Sequence, residues 1–290
     1  MVASGLVVGF VTGGFPAYSK EISQLALAVG MTFSLAEITL KGISPRDELR
    51  GFLVSFALTY VVLSGVILAF AYASDEAAIR DGWVLMAAVP PAVAVVPITG
   101  YLKGDTRRAL VSLAILYVLG LALVPLFTLA FTAQAVPVSE LLVQTVLLIG
   151  APLAASRGIA RWPRGRENRA TVVSVSFFVL VTAIAGSTRS ALLARPDLLG
   201  VLSVLALLRT FGVGGLVFLL SGALGASRET RLSLTAFASF KNLGLTVVLA
   251  FAVFGPTATL PSIVSLVFEI LWLAALPTLF RRGAPTAIPA

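Results

Sequence analysis

The sequence predicts an all-α polytopic membrane protein: ten transmembrane helices in two inverted five-helix repeats, with a broken fourth and a broken ninth helix that cross. Three observations predict it. Of its 290 residues 58% are hydrophobic and 12% charged, with mean hydropathy +1.02, which leaves too little polar surface to cover a soluble domain of this size. Apolar runs of about 20 residues recur, the length that crosses a hydrocarbon core of roughly 30 Å as helix, and the short alternating segments of an outer-membrane barrel do not occur. Two of these runs are interrupted by residues that hydrocarbon tolerates poorly.

In order, the spans read 2–17, 21–40, 51–72, 82–101, 107–131, 137–157, 170–189, 198–225, 230–253 and 257–280. The first, from Met1 to Phe15, has no basic leader and no A-x-A site, so it reads as a span and not as a cleavable signal. Lys and Arg alternate between the connections. Fifteen fall in the stretches 41–50, 103–108, 157–169, 228–231 and 281–282, and four (Lys20, Arg80, Arg189, Arg195) on the other side. By the positive-inside rule this places both termini in the cytoplasm, in a cell (cytoplasmic) membrane, and demands an even number of spans. The halves, 1–133 and 137–280, hold five spans each. Because five is odd, the second half is inverted, and the fourth span corresponds to the ninth.

Those are the two interrupted spans. Trp83–Gly100 carries Pro90, Pro91 and Pro97; each proline removes a backbone donor and frees a carbonyl one turn back, which is stable only inside protein or beside a wet cavity. Arg231–Pro256 carries Lys241 and Asn242 near its middle, followed by Gly244, which loosens the helix. A lysine at that depth costs about 3 kcal/mol, so it turns toward a partner, a cavity or a ligand path. Two broken spans, one per half, mark a transporter site at the midplane. The alternatives are an interhelical ion pair for Lys241 and an ordinary proline kink for the fourth span.

Arg209 and Glu269 are the other deep charges, and either Arg209 or Lys241 is a partner for Glu269. Gly212, Gly215, Gly222 and Ser221 predict a close-packing face on the eighth span, and Glu37 an interfacial anchor. There is no Cys and no His, which excludes disulfides, thiolate or imidazole metal sites and Cys or His nucleophiles. With no intramembrane aspartate pair either, the chain is not read as an enzyme, and no cofactor or metal is called for. Despite a net charge of +8, the basic residues sit in short loops and form no nucleic-acid surface.

Three passages resemble the bile acid:sodium symporter (ASBT-like) family: VGMTFSLAEI at 29–38, VPPAVAVVPITGYLKGD at 89–105, and SFKNLGLTVVLAFAVFGP at 239–256. The resemblance implies ten helices with crossing fourth and ninth helices, a core domain from spans 3–5 and 8–10, and a panel domain from spans 1, 2, 6 and 7. It implies import of organic anions with two sodium ions. The sodium ligands do not carry over. The family's ninth-span glutamate and glutamine fall at Phe237 and Lys241, its fourth-span Ser-Asn pair at Val95 and Val96, and its fifth-span hydroxyls at Ala109 and Leu113, with Thr59 nearest its third-span glutamine. Asn242 matches the family's substrate-facing asparagine.

The expectation is a single membrane transport domain, 1–290, that carries a small organic anion by alternating access without sodium, the Lys241 ammonium replacing the bound cation with Glu269 nearby. Asn242, Lys241, Ser239, Val93 and Thr99 are the candidate substrate contacts. A proton-coupled carrier using Lys241 and a non-transporting sensor or scaffold of the same fold are the alternatives. The expected partners are the lipid bilayer and the substrate, with no nucleic acid and no obligatory protein.

Overall fold

A computed structural model describes residues 1–36, 48–132, 136 and 138–281. The described residues are helical apart from short connections: α1 (Val2–Thr12), α2 (Ser19–Leu35), α3 (Leu49–Tyr72), α4 (Ala77–Ala88), α5 (Val95–Tyr101), α6 (Thr106–Phe131), α7 (Val138–Arg161), α8 (Pro163–Glu167), α9 (Arg169–Leu193), α10 (Pro196–Ala223), α11 (Arg228–Ser239), α12 (Leu243–Phe254) and α13 (Leu260–Arg281). Among them six stretches are long and apolar enough to cross a membrane: α3, α6, α7, α9, α10 and Thr257–Phe280, which covers α13. The protein is an integral membrane protein. Glu37, together with Lys41, Arg46 and Arg282 of the charge pattern, lies outside the described residues.

Two expectations change. The first helix stops at Thr12 and not near 17, because Gly13 takes the left-handed conformation (φ 81°) and ends it; at 1.5 Å per residue α1 is about 16 Å long. The glycine face on α10 is not a packing face as a whole: a Cβ at Gly212 or Gly215 would meet nothing within 4 Å. Close approach falls at Gly222, against Arg231, and at Gly214, against Ser239 and Trp272.

α3, α7 and α10 each contain a π-helical turn, at Ala57–Leu63, Val146–Gly150 and Leu208–Gly212. The widened turns of α3 and α10 sit beside the two breaks and carry side chains toward them.

The helices pack as two groups. α1 lies on α9, α9 on α2, and α2 on α7. The α1–α9 contact is tight enough that a Cβ at Gly9 would stand 2.5 Å from the carbonyl oxygen of Thr182. In the second group α3 packs on α4, α4 on α6, α10 on α11 and α13, and α12 on α4 and α13. Between the groups, α12 rests on α2, and Lys20 at the start of α2 donates to Ala252 O near the end of α12 at 3.1 Å.

Candidate functional site

The site is made where two helices stop. α4 ends at Ala88 because Pro90 drives Val89 into extended backbone (φ −70°, ψ 152°), and α5 resumes at Val95 with Pro97 in its first turn, where no amide is needed. α11 ends at Ser239 with Phe240 extended (φ −107°, ψ 115°), and α12 resumes at Leu243. The two gaps pair as a short antiparallel bridge between Pro91 and Lys241. Ala92 N donates to Phe240 O at 3.3 Å and Asn242 N to Pro90 O at 3.0 Å, so each gap satisfies groups the other leaves open.

Lys241 is fully buried. Its Nζ donates to Ser64 Oγ, Ala87 O and Val89 O, each at 2.9 Å, and lies 4.6 Å from the centroid of the Tyr60 ring. Two of these oxygens are carbonyls freed by the fourth-span prolines. Ser64 stands just after the π-turn of α3, and Tyr60 is held within that turn by Phe56 and Phe127. An ammonium has three protons and no lone pair, and three oxygens meet it.

Asn242 serves both sides of its own helix. Its Oδ1 accepts from Leu245 N at 3.0 Å as the N-cap of α12, while Nδ2 donates to Tyr117 OH at 2.7 Å and reaches the Met31 sulfur at 3.4 Å. Glu269 on α13 accepts from the backbone N of Lys241 at 3.1 Å and forms a buried ion pair with Arg209, which sits in the π-turn of α10. The pairing left open by the sequence is thus resolved: Arg209 takes the carboxylate, and Lys241 touches it through its backbone alone.

A cavity of about 690 Å³ lies against this crossover, between α1 and α9 on one side and α5, α12 and α13 on the other. Val93, Pro97, Lys241, Asn242, Gly244 and Glu269 line it, among mostly apolar neighbours such as Phe177, Leu180 and Leu266. The Lys241 ammonium is turned away into its three oxygens, so the cavity meets the rest of the residue. Gly244 lies beyond the break and not in it; a Cβ there would come within 3.1 Å of Phe177. Ser239 and Thr99 do not line the cavity. Ser239 accepts from Trp272 Nε1 at 3.0 Å and donates to Thr235 O, and Thr99 donates back to Val95 O at 2.7 Å. Val95, Val96 and Phe237 are buried apolar packing residues.

A family model, the SBF-like CPA transporter family, matches residues 17–282. The chain belongs to the SBF-like CPA transporter family. It is therefore a transporter and not an enzyme. No curated protein sequence matches it. The sodium ions implied by the resemblance do not fit the residues present: Val95, Val96, Phe237, Ala109 and Leu113 offer no side-chain oxygen, and Thr59, the nearest replacement, donates its hydroxyl to Phe237 O at 3.2 Å.

Residues that sequence reasoning missed are Ser64, Tyr60, Tyr117 and Met31. Each is a single polar or polarisable group in an apolar run, and the one available signal was hydroxyls within spans 3 and 5, unmatched by any nearby charge.

Proposed function

We propose that this SBF-like transporter carries a small organic anion by alternating access without sodium, the Lys241 ammonium acting as a resident cation at the crossover. The observation that carries the reading is the seat of Lys241 Nζ among Ser64 Oγ, Ala87 O and Val89 O. Oxygen donors at the junction of two broken helices are what a transported cation takes in carriers of this build, and a covalently attached ammonium fills the place without leaving.

The proton-coupled alternative is compatible with the same seat: as an ammonium Lys241 has an acceptor for each of its three protons, and as a neutral amine it keeps Ala87 O and Val89 O as acceptors and takes the Ser64 hydroxyl proton on its lone pair.

In the proposed architecture the chain crosses ten times in two inverted repeats. Support comes from element order: a π-bulged long helix, a broken helix and a second long helix follow one another twice, as α3, α4/α5, α6 and as α10, α11/α12, α13. The α1, α2, α7, α9 group would be the panel and the remaining spans the core, with Val93 and Asn242 meeting the substrate. With both termini cytoplasmic, the end of the cavity bordered by Met1, Val2 and Arg169 faces the cytoplasm.

The test is thermal unfolding of the purified protein against a panel of organic anions, in sodium chloride and in choline chloride. One or more anions are expected to raise Tm equally in both salts, and the best of them to enter proteoliposomes at a rate indifferent to a sodium gradient. A sodium-specific rise in Tm, or uptake that climbs with the sodium gradient, refutes the resident-cation reading; a panel with no stabilising anion favours the scaffold.

A further inference from the structure

The connection from α7 to α9 carries Arg157, Arg161, Arg164, Arg166 and Arg169 against one acid, Glu167. Both flanking helices are long enough to cross a bilayer, so residues 162–168 lie at the boundary between lipid and water. Within the connection Trp162 is 50% exposed and rests on Gly165, where a Cβ would come within 2.5 Å of the indole. An indole at this level is the usual anchor in the headgroup layer. The five arginines divide by what they touch. Arg157 turns inward, donating to Leu35 O at 2.9 Å and so tying α7 to the end of α2, and Arg169 borders the cavity. Arg161, Arg164 and Arg166 are exposed, and among the described residues their guanidinium groups make no hydrogen bond or ion pair.

We propose that this turn is a binding site for the phosphate headgroups of anionic phospholipids, with Arg161, Arg164 and Arg166 holding phosphodiester oxygens and Trp162 seated beside the glycerol. Guanidinium forks match phosphate oxygens in pairs, and a cluster of four to eight basic residues beside a spanning helix is the pattern that draws anionic lipid. Proximity of the indole distinguishes the site from a diffuse positive surface: a bound headgroup brings its own acyl chains against Trp162. The site also adjoins the cavity end, since Arg169 and Ala170 open the next helix and line the cavity.

Tryptophan quenching tests this directly. Trp83 and Trp272 are buried (0% and 4% exposed), which leaves Trp162 as the residue that lipid can touch. The full-length protein is reconstituted in phosphatidylcholine vesicles in which one-fifth of the lipid, either phosphatidylglycerol or phosphatidylcholine, carries bromine near the top of its acyl chains. Brominated phosphatidylglycerol is expected to quench about twice as strongly, with the preference shrinking as salt screens the arginines. The preference is expected to vanish in the R161Q/R164Q/R166Q variant, whose changes are at exposed positions, and Trp162→Phe is expected to remove the quenched signal. Equal quenching by the two lipids, or a preference that survives the triple variant, overturns the proposal. Equal quenching in chloride together with a rise in Tm by inorganic phosphate that the triple variant abolishes would make the turn a site for free phosphate and would likewise overturn it. None of these readouts depends on what is transported.

Discussion

Val89–Ala94 and Phe240–Asn242 both interrupt a helical run, yet the first does it with prolines and the second with none. The first gap contributes backbone oxygens: Ala87 O and Val89 O, freed by the prolines, and Pro90 O. The second contributes chiefly donors, the Lys241 ammonium and the Asn242 amide, with Phe240 O the one acceptor it offers in return, to Ala92 N. The difference teaches that the junction is held by complementarity, with an acceptor-rich gap against a donor-rich one. It also shows where the weakness lies: the first gap depends on backbone shape, the second on individual side chains.

The largest effect is expected where the second gap depends on a charge from outside it. Glu269 neutralises Arg209 and also accepts from Lys241 N, and no acid plays that part at the first gap among the described residues. Glu269→Ala strands a buried guanidinium, an expected loss of about 3–5 kcal/mol, seen as a large fall in Tm in detergent. The R209M/E269M double variant should recover most of it, since two apolar side chains replace the pair. If the double variant is no better than the single, the Lys241 amide is what Glu269 chiefly serves.

Next in size is Lys241→Met, which keeps the side chain's length and removes its protons. Val89 O then loses its donor while Ala87 O keeps the Ser64 hydroxyl at 2.6 Å, an expected cost of about 1–3 kcal/mol, read again by Tm. The matching change at the first gap, Pro91→Ala, leaves those oxygens in place and is expected to cost about 1 kcal/mol or less. Comparable losses from the two would contradict the division into a side-chain gap and a backbone gap.

This division also explains what could be read in advance. The six long apolar helices followed from apolar runs, and the two helix breaks from prolines in one run and a lysine in another, because hydrocarbon makes such residues conspicuous. Side-chain direction beyond a break did not follow. Phe240 is extended, so the helical phase of α11 is not continued into α12, and Ser239 turns to Trp272 while Asn242 turns to Tyr117. The partner of Glu269 was open for a related reason: Arg209 lies in a π-turn, where the 3.6-residue period that assigns faces is lost. Thr99 is a candidate substrate contact by sequence, but its hydroxyl donates to Val95 O, a local bond that competes with any outward role.

The smallest effect separates how the two resuming helices are started. α5 closes its first turn with backbone alone, Val95 N to Ala92 O at 3.1 Å and Val96 N to Val93 O at 3.3 Å, and Pro97 has no amide to satisfy. α12 relies on a side chain, Asn242 Oδ1, to hold Leu245 N. Loss of an N-cap costs about 0.5–2 kcal/mol, so Asn242→Ala should speed amide hydrogen exchange at Leu245 by about 2- to 30-fold and leave Val95–Tyr101 unchanged. Asn242→Ser supplies a hydroxyl that caps as well but does not reach Tyr117, and it should restore protection. Tyr117→Phe removes the other partner of Asn242 and should leave exchange at Leu245 near the wild-type rate. Were Tyr117→Phe to loosen α12 as much as Asn242→Ala, the start of that helix would be set by the bond across to α6 and not by the cap, and the second gap would depend on its neighbours as the first does.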